Sequence, residues 1–335
     1  MKIAVVGLGV AGSYLVRRLS VEHEVVGFER QRRETFKAIC AWGTSRNHIK
    51  KLLDTVEVDF DDYVLHIGEN LILDNGKKSS SIPMKGLCTY DKARLELNMT
   101  QGYKVFYGVT PTVEELCKKF DLIVDATGIS RALLPPPRND EIVPCFQYLV
   151  RYEGRMPYED FYVKIFPNCA GYLWYFPLVN GDVYVGAGHV AGGHVTNVKQ
   201  FLSQYGGKPF TRFGKSVRLA PPENLLPFAQ GKVVGVGESI GTVFPMLGEG
   251  IIPSLECAEI FVQSLTDTYK YADEVLKTFK AFSDMYKLVK LRQRNELSFT
   301  KHLPLILRCY RYMKSREERF GLTIRKEDLL LILNA

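Results

Sequence analysis

The chain opens on KIAVVG (residues 2–7), a short apolar run that ends in glycine. A run with no polar face is the pattern of a parallel strand buried on both sides. Residues 10–20 then carry apolar positions at helical spacing, and HEVVGFER (23–30) is a second strand-like run. Strand, helix, strand predicts a βαβ unit, and with it an α/β fold. YKVFYG (103–108), DLIVDATG (121–128) and GKVVGVGES (231–239) repeat the buried-strand pattern. Elsewhere the period changes. YVLHIGENLILDNGKK (63–78) alternates and contains Asp-Asn-Gly, which predicts a hairpin. YDKARLELNMTQ (90–101) has helical spacing behind a capping residue. Residues 145–222 are rich in Tyr, Phe and Val with recurrent Gly breaks, the mark of an antiparallel sheet. An apolar helix is predicted over 250–264, and from 270 onward the chain reads as mostly helical.

This order predicts a discontinuous organisation. Residues 1–135 together with 225–285 form a Rossmann-like dinucleotide-binding domain. Residues 136–224 form an inserted antiparallel substrate domain, and 286–335 a basic helical C-terminal region. A length of 335 residues exceeds the usual size of one core, which fits that division.

The chemistry starts at Gly7-Leu-Gly9-Val-Ala11-Gly12, a G-x-G-x-x-G turn between a strand and a helix. The first glycine makes the turn, the second lets a diphosphate approach the backbone, and the third lets helix meet strand. The helix N-terminus faces the negative charge. Glu29 ends the second strand, with Arg30 beside it, where a carboxylate accepts hydrogen bonds from ribose hydroxyls. Three later segments extend the pattern. DLIVDATG ends in Ala126-Thr127-Gly128. A strand then runs into Gly237-Glu238, followed by Gly248-Glu249-Gly250-Ile251 at the start of a helix. YDKARLE (90–96) is a capped helix start with Lys92 just inside it.

In this order the four motifs resemble those of the flavoproteins built like para-hydroxybenzoate hydroxylase. The resemblance implies FAD as cofactor. The acidic residue after Gly237 meets the ribityl chain, and the helix after Gly250 points its positive end at the flavin's O2/N1 edge. Two departures stand out. Glu238 replaces the usual Asp, and Lys92 stands in the usual Arg place.

NCAGYLWYFPLVNGDVYVGAG (168–188) concentrates aromatic surface and then removes side-chain bulk. Tyr172-x-Trp174-x-Phe176-Pro177 followed by Gly186-x-Gly188 resembles the signature of geranylgeranyl reductases. That resemblance implies saturation of C=C bonds in isoprenoid chains, notably of archaeal-type membrane lipids, by hydride from FAD. An apolar, aromatic-walled groove suits a chain that offers no hydrogen bonds. On this reading Trp174, Phe176, Gly186, Gly188 and Trp42 contact substrate, and the glycines let chain or flavin approach the sheet. FKAICAWGTSRNHI (36–49) lies where those reductases carry a K-P-C-G-like segment, with Lys37 and Cys40 near the matching positions. Cys40, Tyr172 and Trp174 are then the candidate catalytic residues, and His48 and Glu249 candidate relays. The electron donor is external: NAD(P)H, a ferredoxin or a deazaflavin. A monooxygenase acting on an aromatic or quinone substrate, and a non-catalytic flavin-binding protein, stay open as alternatives.

Charge adds one feature. The formal net charge is +7, and residues 287–319 hold ten Lys/Arg against three Glu, so this segment carries all of it. An anionic membrane surface is the expected partner, with a solvated helix face as the plain alternative. Nothing points to nucleic acid. Seven cysteines without a C-x-x-C pair argue against a disulfide framework and a zinc site. The N-terminus shows no leader pattern and no apolar run reaches the ~18 residues that span a bilayer. The expected location is the cytoplasm, with peripheral contact at the cytoplasmic membrane face.

Overall fold

A computed structural model describes residues Met1–Ala335. Its first layer is a six-stranded sheet in the order Ala229–Gln230, Val233–Gly235, Leu122–Asp125, Lys2–Val6, Glu24–Glu29, Val105–Tyr107. All pairings are parallel except that of the short strand Ala229–Gln230. The fully apolar runs of the sequence are its central strands, because helices cover both faces and leave no solvated side. Helix Val10–Leu19 packs on helix Ile251–Gln263 over this sheet.

The second layer is a seven-stranded sheet in the order Lys208–Gly214, Cys145–Arg151, Asp182–His189, Gly171–Pro177, Phe161–Ile165, Asn70–Asp74, Ser79–Pro83. The predicted hairpin needs correction here. The Asp-Asn-Gly turn joins Asn70–Asp74 to Ser79–Pro83, with the Asn75 N–H donating to the Lys78 carbonyl at 3.0 Å. Val64–Ile67 instead joins a separate three-stranded sheet with Leu87–Tyr90 and Gly43–Ser45. The hairpin then adds to the second layer through Asn70–Asp74, parallel to Phe161–Ile165. The sequence-based division, with 1–135 wholly in the cofactor domain, therefore differs from the topology. Part of that segment completes the substrate-side sheet.

Residues 286–335 are also not a separate region. Helix Lys280–Gln293 crosses the predicted boundary, and Leu288, Leu305, Cys309, Phe320 and Leu329 join one 64-residue core with the parallel sheet. Much of the basic charge in this segment is engaged internally. Lys290 pairs with Glu141 at 3.0 Å. The Arg292 guanidinium donates to the carbonyls of Leu333 (2.7 Å) and Ala335 (2.6 Å) and to Asn168 Oδ1 (2.9 Å). Arg319 is buried against Glu249 and Glu256. Lys287, Arg294, Lys301 and Arg311 are exposed, as are Phe299 and Leu303. No helix is long and apolar enough to cross a membrane.

Arg292 thus anchors the C-terminus, while Arg294, two residues on, is exposed. Arg292→Ala is expected to lower stability by roughly 1.5–3 kcal/mol, the scale of charge-assisted hydrogen bonds. Arg294→Ala should stay within about 0.5 kcal/mol of the parent. Urea unfolding midpoints of the two variants check this, and equal midpoints would refute the anchoring role.

Candidate functional site

A cavity of about 700 Å³ lies between the carboxyl ends of the parallel strands and one face of the seven-stranded sheet. Open α/β sheets place ligands at this end of their strands. The glycine-rich turn sits on its rim and shows a division of labour. Gly7 has φ +88°, and a Cβ there would meet the Ala126 carbonyl oxygen at 2.6 Å. A Cβ on Gly12 would lie 1.8 Å from the Gly7 oxygen, so this glycine seats the helix on the turn. Gly9 has ordinary backbone angles and nothing within 4 Å of a built Cβ. Its missing side chain leaves open space beside a helix N-terminus, as a diphosphate requires. Gly9 and Ala11 line the cavity, and Gly12 lies behind it.

Glu29 is buried on the wall and accepts the backbone N–H groups of Leu8 and Gln31, each at 2.9 Å. Its carboxylate is thereby fixed, and Arg30 lies next to it on the wall. Lys92 and Glu96, one helical turn apart, form a buried ion pair that also faces the cavity. Burial pushes the Glu96 carboxyl up, and the Lys92 ammonium pulls it back. Ala126, Thr127 and Gly128 follow the buried Asp125. That carboxylate accepts Thr127 N–H and O–H at 3.0 and 2.6 Å, and the Leu133 N–H at 2.9 Å, which folds the loop. Glu238, Gly248, Gly250 and Ile251 complete this side. Gly237 (φ +76°) does not reach the cavity; its space is taken by Ser254 and Ala11.

The opposite wall comes from the seven-stranded sheet. Directly opposed residues of antiparallel strands share a face. One row runs Tyr172, Gly188, Cys145, and the next Trp174, Gly186, Gln147, Phe213. Here the glycines have a role other than the one expected. A Cβ on Gly186 would lie 2.4 Å from the Trp174 ring and 2.5 Å from the Gln147 Cβ. One on Gly188 would lie 2.8 Å from Cys145 Sγ. Their space is filled by neighbouring side chains, so the Trp174 indole lies across the sheet where a Cβ would otherwise lift it. Neither glycine lines the main cavity; Gly188 faces a smaller, mostly apolar one behind Tyr172 and Trp174.

Tyr172, Trp174, Phe176 and Cys40 line the main cavity. The Tyr172 hydroxyl donates to the Leu247 carbonyl, and burial pushes its pKa up. The Trp174 N–H is buried without a protein partner. Trp42 is turned away. Its indole donates to the Ala38 carbonyl at 2.7 Å and stands edge-on to Tyr184 at 5.0 Å, off the cavity wall. It helps lay the 38–42 segment on the sheet, where Gln147 donates to the Cys40 carbonyl at 2.9 Å. His48 and Glu249 also lie off the wall, in an ion network with Glu256 and Arg319. Glu249 accepts the Ile252 N–H at 3.1 Å, so it caps the helix whose first residues face the cavity.

Several wall and support residues carry no sequence signal of their own. Cys145 and Gln147 alternate on an ordinary strand. Burial pushes the Cys145 thiol up to about 12, so it stays protonated. Arg218 is 2% exposed and donates to Asp140 (2.9 and 3.0 Å), to the Glu238 carbonyl (2.9 Å) and to the Ile129 carbonyl (2.9 Å). Its own N–H donates to the Glu238 carboxylate at 3.0 Å. Gly186→Ala is expected to displace the Trp174 indole at a cost of about 1–3 kcal/mol, the scale of overpacking. Reduced stability together with an altered Trp emission spectrum is the expected result. A variant identical to the parent in both would show that the indole does not rest on Gly186.

No family model and no curated protein matches the chain. Solved structures do. A geranylgeranyl bacteriochlorophyll reductase-like protein from Thermoplasma acidophilum superposes with TM-score 0.72 at 14% identity, over 99% of this chain and 95% of that one. A flavoprotein/dehydrogenase from Cytophaga hutchinsonii gives 0.68 at 14% identity, over 96% and 93%. The flavin-dependent brominase Bmp2 gives 0.64 at 13% identity, over 100% and 94%. At such identities the likeness is one of fold. The chain has the fold of the para-hydroxybenzoate hydroxylase-like flavoproteins, a group in which reductase-like and halogenating proteins share one architecture.

Proposed function

We propose that the chain is an FAD-dependent oxidoreductase that saturates C=C bonds of an isoprenoid chain. One observation carries the reading: the dinucleotide cleft and an aromatic wall border the same cavity. The residues present fit FAD. The open space at Gly9 and the helix behind it would take the diphosphate, and Glu29 a ribose. Glu238 and the helix starting at Ile251 would meet the ribityl chain and the ring. When bound and reduced by an external donor, FAD would supply hydride. Every other task falls to the chain itself.

Tyr172, Trp174 and Phe176 shed water from the cavity and hold an apolar chain by contact alone. Saturation also places a proton on the second alkene carbon. The thiols of Cys40 and Cys145 and the Tyr172 hydroxyl are protic groups near the aromatic end of this wall. The hydroxyl is committed to Leu247 and the Cys145 thiol to the Val143 carbonyl at 3.6 Å, which leaves the Cys40 thiol as the freer donor. At its aromatic end, away from Lys37 and Lys215, this wall carries no charged side chain, which supports the reductase reading over hydroxylation of a polar aromatic that needs fixed hydrogen-bond partners for its substituents. The exposed cations Lys287, Arg294, Lys301 and Arg311, with Phe299 and Leu303, support docking on an anionic membrane from which such a lipid is drawn.

Three outcomes are expected. Gly9→Val should fold with unchanged stability yet lose flavin absorbance, whereas Gly12→Val should be destabilised; retention of flavin by the Gly9 variant would remove the cleft from consideration. Reduced, anaerobic holoenzyme should turn a geranylgeranyl lipid into a product heavier by two hydrogens, more slowly in Trp174→Ala at equal flavin content. A product heavier by one oxygen, formed only in air, would replace the reductase with a monooxygenase. Charge reversal at Lys287, Arg294 and Lys301 should weaken co-sedimentation with phosphatidylglycerol vesicles at low salt. Equal binding would leave these cations as a solvated surface.

A further inference from the structure

The helix Ile251–Gln263 turns its first residues to the cavity, and a charged cluster is packed behind them. Gly248, Gly250, Ile251 and Ser254 are on the wall. Glu249, between the two glycines, reaches the interior instead, and its side chain is 17% exposed. Its Oε1 accepts the Ile252 N–H at 3.1 Å. Its Oε2 is buried 3.1 Å from Arg319 Nη2, yet the two atoms are not aligned for a hydrogen bond. Arg319, on the short helix Glu317–Phe320, is 5% exposed and also lies 3.4 Å from Glu256. Glu256, further along the cavity helix, meets the His48 ring at 3.1 Å. Tyr312 stands beside Arg319, and on the wall side the Tyr172 hydroxyl feels Glu249 through space.

This cluster is short of positive charge. Two carboxylates share one guanidinium, and His48 makes up the difference only while its ring carries a second proton. Burial pushes the hydroxyls of Tyr312 and Tyr172 up, so both stay neutral and add no countercharge. A buried ion is costly unless it is well paired. The two carboxylates meet that cost differently. Burial pushes the Glu256 carboxyl up, but the His48 hydrogen bond and Arg319 outweigh it and hold the group below its ordinary value. Burial also pushes the Glu249 carboxyl up, and here Arg319 offsets it only in part, while Glu256 adds to the rise. Glu249 is therefore the member that gains a proton when more negative charge arrives nearby. It is also the member bonded to the start of the helix that faces the cavity.

We infer that Glu249 takes up a proton when the flavin in this cavity is reduced, and releases it when the flavin is reoxidised. The inference rests on the flavin part of the reading above and is independent of the isoprenoid part. A reduced flavin ring is an anion, and its negative charge is favoured by the positive end of a helix. An ionised Glu249 at the same helix start opposes that charge, and like charges in a buried site repel strongly. Protonation of Glu249 removes the opposition. The step balances with two electrons from the external donor and two protons from solvent. One proton enters the flavin ring with the electrons, and the other forms the O–H bond at Glu249 Oε2; no bond of the protein breaks. Departure of the hydride removes the negative charge from the ring, and Glu249 ionises again. Arg319 is then a positioning residue, holding Glu249 ionised until the electrons arrive.

The test uses FAD-loaded protein without substrate, so turnover is not required. The flavin midpoint potential is measured against pH on the alkaline side of neutrality, and its slope counts the protons bound on reduction. Infrared difference spectra of the oxidised and reduced protein show whether a carboxyl group becomes protonated. The parent is expected to bind about two protons per two electrons and to gain a protonated-carboxyl band on reduction. Glu249→Gln should bind about one, halving the slope, and should gain no band at unchanged flavin content. Arg319→Lys, which keeps the countercharge, should retain the slope of the parent. A parent that binds one proton and gains no band overturns the inference while leaving the flavin reading intact, and this arm needs no variant to fold. A slope and band that survive Glu249→Gln overturn the assignment to Glu249. A protein that cannot be loaded with FAD overturns the flavin reading itself.

Discussion

Buried cations hold the loops of the site together, Arg218 first among them. Arg218 lies on the short strand Val217–Arg218, which pairs with Ile142–Val143, yet its guanidinium reaches the loops that leave the parallel sheet at Gly128–Ile129 and Glu238. Removing a guanidinium from water costs several kcal/mol unless nearly every N–H finds an acceptor. Here Asp140 and the backbone carbonyls supply them, and the arrangement exists only when those loops are in place. Arg131 makes a similar clamp, donating to the carbonyls of Pro135, Ser239 and Pro227, each at 2.7 Å. Both cations convert loops, which would otherwise be mobile, into the fixed rim of a cavity.

The facing wall obeys a different constraint, one of volume. Trp174 lies flat because the opposed position is Gly186, and Gln147 closes the gap on the far side. The same flatness gives the cavity an apolar floor, and it leaves Cys145, Gln147, Phe213 and Lys215 as the next surfaces along the sheet. One packing choice on a central strand therefore sets both the shape of the site and its gradient from aromatic to cationic. Gln147 then fastens the 38–42 segment, which brings Cys40 to the wall and sends Trp42 outward to Tyr184.

By itself the sequence determined the parallel sheet, the glycine-rich turn, the second strand ending in Glu29 and the helix opening at Ile251. These are local patterns, with partners near in the chain or backbone demands that glycine alone meets. The resemblance to geranylgeranyl reductase motifs also named Tyr172, Trp174, Phe176 and Cys40. Tertiary structure decided the rest. Whether Gly186 faces a ligand or a neighbouring ring depends on which strand lies opposite. Whether Trp42 enters the cavity depends on Tyr184, which lies far along the chain on a strand of the other layer. Lys290 and Arg292 look like a basic surface in one dimension, but Glu141 and the C-terminal carbonyls claim them in three. The hairpin at 70–83 left its sequence neighbours and added to the edge at Phe161–Ile165, a pairing with a distant segment. Periodicity and motif spacing report what a residue is and which way it points. What it meets there is settled by contacts between distant segments, and these leave no mark on local pattern.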